Sequence, residues 1–322
     1  MDSASVTPVD SAKTHKPVRS RSLMNALMFV ATVSWAVNIV AGKEALLGLG
    51  PVALTQVRIA GAALMFLAMF LAWPGRPILR MTRRELGWWL LVALNGVTLN
   101  QLFFIGGLAR TSVAHAGLIV ALGPVMVLVL ACLRRLEVMT VTRVLGTLIS
   151  FVGIVVLTLT NSGQGNGETL IGDLVVLAGT TVFAYFTIQV KSVADRVDAV
   201  TLNMLTFGLG ALLMLPFGAR AVWSVRWSGL TAPVGLAVAY MVVFGSVVPY
   251  LIYAFAMSEI SASRAAAFSY LQPVIAAGLA IWLLGEKLTW QVTFGGVLIL
   301  LGVYLAEREP GEEPGTGLEL RT

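Results

Sequence analysis

Apolar residues fill this chain in long blocks, and charged residues fall almost entirely between them. Runs without one formal charge cover 22–42, 86–109, 111–133, 144–167, 174–190, 199–219, 227–258, 265–285 and 288–306. A tenth run, 45–75, is interrupted only by Arg58. A hydrocarbon core of about 30 Å is crossed by roughly 20 apolar residues in helical form. The pattern therefore predicts ten transmembrane helices, an all-α integral membrane protein, with almost no chain left for a soluble domain.

Composition agrees. The 322 residues are 57% hydrophobic and 12% charged, against about 25% charged in soluble domains. Mean hydropathy is +0.87. Residues 1–22 form a basic N-terminal tail with Lys13, Lys16, Arg19 and Arg21. A basic segment before an apolar run can be a signal peptide. Here the run is as long as a full span and Lys43 follows it, so the segment reads as a tail before a first helix. Residues 309–322 are acidic and rich in Gly and Pro, the composition of a disordered tail. The single cysteine, Cys132, lies inside a predicted helix and is expected to be inert.

A net charge of +6 raises the possibility of nucleic acid, but the placement of the charge excludes it. With the N-terminus in the cytoplasm, the N-terminal tail, Arg76, Arg80, Arg83, Arg84, Arg134, Arg135, Arg143, Lys191, Arg196, Arg264, Arg308 and Arg321 all fall on the cytoplasmic side. Only Lys43, Arg110, Arg220, Arg226 and Lys287 fall outside. This is the positive-inside distribution, and it sets topology. Both termini are expected in the cytoplasm.

Sliding the chain by 149 residues lays TSVAHAGLIVALGPVMVLVLACLRRLEVMT (111–140) on ISASRAAAFSYLQPVIAAGLAIWLLGEKLT (260–289) without a gap. Ser112 meets Ser261, Pro124 meets Pro273, and Glu137 meets Glu286. The register continues from Gly96 with Gly245 to Gly146 with Gly295 and Gly153 with Gly302. Lys43 meets Lys191 after a shift of one residue. Apolar helices resemble each other by chance, but chance does not keep Pro, Glu and Gly in one register. The chain reads as a duplication, with five-helix repeats at 23–160 and 172–308. Because five is odd, the second repeat enters the membrane inverted. That arrangement is typical of secondary transporters, which rock one repeat against the other.

These motifs resemble the EamA family of the drug/metabolite transporter superfamily. The resemblance rests on Pro124, Glu137, Gly146 and Gly153, and on Pro273, Gly285-Glu286-Lys287-Leu288-Thr289, Gly295 and Gly302. The opening WAVNIVAGKEAL (35–46), with Trp35 and Lys43, and Arg58 in the second helix also look like the family. In the first half, LRRLE replaces the family's Leu-Gly-Glu, so that turn is expected to differ. The resemblance implies a substrate cavity between the halves, lined by helices one, three, four, six, eight and nine.

Individual residues carry more than one reading. Pro124 and Pro273 kink a membrane helix; the kink is either structural or opens a cavity wall. Glu137 and Glu286 sit at helix ends, where each can cap the following helix or, alternatively, couple protons. The glycine pairs let helices approach closely. Arg58 is the one formal charge this reading places within a span, as an anchor or a substrate contact. His115 reads as interfacial, with a proton relay as the alternative. Neutral polar and aromatic residues inside spans need protein or a wet cavity beside them. Those expected to bond between helices or line the pathway are Trp35, Asn38, Asn95, Asn100, Gln101, Tyr185, Gln189, Tyr250, Tyr253, Tyr270 and Gln272.

Metal-ligand clusters, paired intramembrane carboxylates and phosphate-binding loops are missing from the sequence, so neither catalysis nor a cofactor is expected. The sequence reads as a secondary transporter in a bacterial inner membrane. It would export small metabolites, such as amino acids or other neutral, zwitterionic or drug-like solutes. An importer, a phosphate-ester or sugar-nucleotide carrier, and a channel are the alternatives. The expected partners are a small-molecule substrate and the lipid bilayer; monomer and homodimer are both compatible.

Overall fold

The computed structural model describes residues 21–73, 81–134, 140–159, 167–194, 196–259, 268, 271–286 and 289–307. Glu137, Tyr270 and Arg264 lie outside these residues. Among the described residues, every regular element is helical. The chain opens with α1 (Arg21–Ala45) and α2 (Pro51–Ala72). It continues with α3 (Arg83–Ala93), a π-helical turn at Leu94–Leu99 and α4 (Asn100–Leu108). Then come α5 (Val113–Val120), α6 (Gly123–Leu133) and α7 (Val141–Leu159). The second half runs through α8 (Gly167–Lys191), α9 (Ala199–Trp223) and α10 (Ala232–Val242). A π-helical turn at Val243–Val247 leads into α11 (Val248–Glu259), followed by α12 (Leu271–Leu284) and α13 (Trp290–Glu307).

Seven helical stretches of the described chain are long and apolar enough to cross a membrane. Val141–Leu157, Leu271–Leu284 and Trp290–Ala306 are shorter apolar helices. Large apolar side chains such as Trp223, Trp282, Phe217 and Leu236 point outward, fully or largely exposed. An exposed apolar belt of this kind faces lipid rather than water. The chain is a multi-pass membrane protein.

The elements interlock across the halves. Helix α1 packs on α10, α11 and α12, whereas α8 packs on α4, α5 and α6. Helix α2 lies along α9, and α7 along α13. The α7–α13 seam is built on glycine. A Cβ at Gly146 would fall on the backbone of Gly302 and Ala306, and one at Gly153 would lie 2.8 Å from the Gly295 carbonyl oxygen. Backbones this close need residues without side chains. At the centre of the seam, buried Ser150 donates to the Ile299 carbonyl at 3.3 Å.

Several contacts recur at matched positions. The π turns begin at Leu94 and at Val243, 149 residues apart. Lys43 donates to the Leu108 carbonyl at 2.8 Å, and Lys191 donates to the Met257 carbonyl at 2.8 Å. Each lysine ties the first helix of its half to the end of the third. A π turn inserts an extra residue into the helical ladder and redirects backbone groups, and apolar periodicity gives no sign of it.

The fourth membrane segment is broken rather than merely kinked. Helix α5 ends at Val120, and α6 restarts at Gly123 with Pro124 in its first turn. Pro124 has no N–H to return to the Val120 carbonyl, so the ladder stops there. Pro273 likewise lies in the first described turn of α12.

Two expectations need correction. Asp173 lies within α8, not before it, and is 1% exposed. Arg58 is therefore not the only charge in a span. A charge-free run marks where charge stops, not where a helix starts. His115, in the first turn of α5, is 1% exposed and pairs with Asp173. Glu286 caps α5 instead of the helix that follows it, accepting from the Val113 and Ala114 amides at 3.0 and 3.3 Å. Sequence neighbours suggested the next N-terminus, but the packing of α12 on α5 brings a different one within reach.

Candidate functional site

At the centre of the bundle, four helices bring aromatic rings edge to face. Trp35 on α1 has its ring centroid 6.2 Å from Phe183 on α8, 5.9 Å from Tyr250 and 5.7 Å from Tyr253, both on α11. Phe207 on α9 closes the group, with its ring 4.9 Å from Tyr250. Edge-to-face packing of this kind adds stability beyond simple burial.

Polar atoms line one side of the rings. Gln101 Nε2 donates to the Tyr250 hydroxyl at 3.0 Å. That hydroxyl has Asn100 Oδ1 and the Gly96 carbonyl as acceptors, at 3.3 and 3.4 Å. The Thr187 and Tyr253 hydroxyls lie 2.9 Å apart. Gln101 and Tyr250 are matched positions of the 149-residue register, so the two halves meet through equivalent residues.

One helical turn along α1 from Trp35, Asn38 is 3% exposed. It faces Arg58 of α2 across the π turn Val243–Val247. Arg58 is 2% exposed; its Nε donates to Ser246 Oγ at 2.8 Å and its Nη2 to the Gly245 carbonyl at 2.7 Å. Pro249, four residues beyond Gly245, has no N–H, so the α-helical partner of that carbonyl is missing. Arg58 supplies a donor in its place. Arg58 lies about two turns inside α2, where the sequence placed it, and is buried against the π turn.

Not every predicted residue joins this centre. Trp35, Asn100, Gln101, Tyr250 and Tyr253 do. Gln189 pairs with Asn95, which donates to its Oε1 at 3.2 Å. Tyr185 turns away: its hydroxyl accepts from Arg134 Nη2 at 2.7 Å, and the guanidinium lies 4.7 Å from the ring centroid. Gln272 is buried on α12, which packs against α1 and α5. Sequence reasoning missed Phe183, Phe207 and Thr187, whose types are ordinary in an apolar helix. It also missed Ser246 and Asp173. The Asp173 carboxylate accepts from Thr111 and pairs with His115 Nδ1 at 2.9 Å. Asp173 stands at the start of an otherwise charge-free run, and that position was a readable signal. No group of His, Cys, Asp and Glu among the described residues could hold a metal ion.

Proteins named as uncharacterised transporters are among those similar to this chain. An uncharacterised transporter of Archaeoglobus fulgidus is 26% identical over 275 residues, covering 85% of this chain and 95% of the relative. The uncharacterised transporter YvbV of Bacillus subtilis is 26% identical over 285 residues, 87% and 90% of the two chains. A WAT1-related chloroplastic protein of Arabidopsis thaliana is 26% identical over 288 residues, 87% and 68% of the two chains. A solved crystal structure shares the fold with a TM-score of 0.64 at 20% identity, covering 89% of this chain and 97% of its own. The EamA-like transporter family matches residues 22–159 and 170–307, nearly the whole of both halves. The chain belongs to the EamA-like transporter family.

Proposed function

We propose that the protein is a secondary transporter that exports small neutral or zwitterionic metabolites, amino acids or related drug-like solutes, by alternating access. In this reading two inverted five-helix repeats span a bacterial inner membrane ten times, with both termini in the cytoplasm. No cofactor is required. The observation that carries the reading is the recurrence of the same contacts at matched positions. The lysine bonds, the π turns and the Gln101–Tyr250 pair fall at matched positions of the two halves and support reading them as equivalent units. Two such units can exchange conformations, so that a site between them opens to either side in turn. The aromatic and amide groups around Trp35 and Tyr250 support a flat, weakly charged solute. A phosphate ester would need paired cations, whereas Arg58 is a single cation at this centre.

Counterflow in proteoliposomes tests the reading. Vesicles loaded with unlabelled amino acids should take up the labelled compound against its gradient, and the uptake should collapse when the internal solute is omitted. Uptake indifferent to the internal solute would indicate a pore and end the proposal.

A further inference from the structure

Beside the aromatic centre, Asn203 Oδ1, Arg58 Nη1 and Asn38 Oδ1 are buried without a partner, and the last two are complementary and converge on one point. Among the described residues, Arg58 Nη1 and Asn38 Oδ1 have no hydrogen-bond partner. One is a donor on a cation and the other is an acceptor. Both side chains are more than nine-tenths buried. They meet at Gly245: the point a Cβ there would occupy overlaps Asn38 Oδ1 and lies 3.2 Å from Arg58 Nη2. Glycine is what lets the two approach the π turn together. Arg58 has no carboxylate partner among the described residues. A buried guanidinium with an unused donor is costly unless something completes it.

We infer that Arg58 and Asn38 form a recognition subsite for the carboxylate and ammonium of an α-amino acid, with its side chain directed to the Trp35–Tyr250–Tyr253 rings. The inference rests on the amino-acid reading proposed above and deepens it. An α-amino acid carries an acceptor anion and a donor cation on one carbon. That is the complement of a guanidinium with an unpartnered Nη1 and an unpartnered amide oxygen that converge on Gly245. Arg58 is already fixed by Ser246 and the Gly245 carbonyl, so its Nη1 is pre-oriented and little side-chain freedom is lost on binding. Asn38 is three residues beyond Trp35 on α1, about 4.5 Å along the axis. Helices α1 and α11 run in opposite directions in the proposed topology, so Gly245 lies opposite Asn38 and Tyr250 opposite Trp35.

The test compares acid with amide. In proteoliposome exchange, apolar and aromatic L-amino acids and their carboxamides compete for labelled amino acid. Loss of a charge-assisted contact should weaken each carboxamide by about 10- to 100-fold. In Asn38→Asp, the new carboxylate pairs with Arg58 and fills the subsite from within. That variant should stay folded, judged by its elution profile, and lose both acid affinity and the acid-over-amide preference. Arg58→Lys keeps the charge without the fork and should lose most of the preference. Equal competition by acids and amides would overturn the subsite and leave Arg58 as a support for the π turn, while the transporter reading stands. Preference retained in a folded Asn38→Asp would also overturn it. If neither acids nor amides exchange at all, both the subsite and the amino-acid reading fail.

Discussion

Asp173 illustrates how a single buried residue is held in this protein. A carboxylate out of water is tolerated where its oxygens meet donors, and here Thr111 and His115 supply them. All three side chains are buried, on segments that meet at the end of the bundle where α5 begins. Ser112 caps that same helix through the His115 amide at 3.1 Å, so the pair is fixed by local structure as well as by charge. Removing one partner leaves the other in a poor environment. His115→Ala should therefore lower stability by about 3 kcal/mol or more, read as the thermal midpoint in fluorescence-detected size exclusion. His115→Gln with Asp173→Asn should recover much of that loss, since neither group is then charged. A single variant as stable as the double would remove the pairing argument. Glu286→Gln is a milder change. It keeps an oxygen for one of the Val113 and Ala114 amides, turns an NH2 toward the other and loses the charge at the α5 N-terminus, and should cost about 1–2 kcal/mol.

Elements in this protein are shaped as much by backbone exceptions as by apolar periodicity. Helix α7 meets α13 through Gly146, Gly153, Gly295 and Gly302, where added side-chain atoms would strike main chain. Main chain cannot move aside as a flexible side chain can. Gly302→Val should therefore abolish the folded peak or lower its midpoint sharply, by well over the about 1–3 kcal/mol typical of overpacking. Gly208→Ala, at a helical glycine with open space around its Cβ position, should change stability by no more than about 1 kcal/mol. Equal tolerance at both sites would show that the α7–α13 seam is looser than its backbone distances. These glycines were legible from the sequence because the 149-residue register kept them in place. The π turns at Leu94–Leu99 and Val243–Val247 were not, since they alter hydrogen bonding without altering the apolar pattern. Pro124 was legible as a disturbance but not as a break. The aromatic centre was half legible: Trp35, Tyr250 and Tyr253 stand out in apolar helices, whereas Phe183 and Phe207 look like any lipid-facing residue. Which of two polar residues turns inward depends on packing, and so Tyr185 went to Arg134 rather than to the centre.

At the scale of the whole molecule, the deciding question is which way each half lies in the membrane. Charge gives one argument: Arg76, Arg80, Arg83 and Arg84 cluster after the second helix and Arg134, Arg135 and Arg143 after the fourth, while the loops between these sides are poor in cations. Parity gives another, because an odd number of crossings per repeat puts equivalent loops on opposite faces. Lys43 and Lys191 hold matched helix ends, so the inverted reading expects one bond near the outer face and the other near the inner face. If instead the halves lay parallel, the basic clusters after the second and fourth helices would find no counterpart of opposite bias in the second half. Reporter fusions separate the two arrangements. An alkaline phosphatase moiety joined after residue 165 should be active, placing that loop outside, and one joined after residue 194 should be inactive. A fluorescent protein that folds only in the cytoplasm should give the reverse pattern at the same two points. The two points flank α8, so a single crossing between them is all the inverted reading demands. The same side for both fusions would mean that α8 does not cross, and alternating access by exchange of inverted halves would then have no basis.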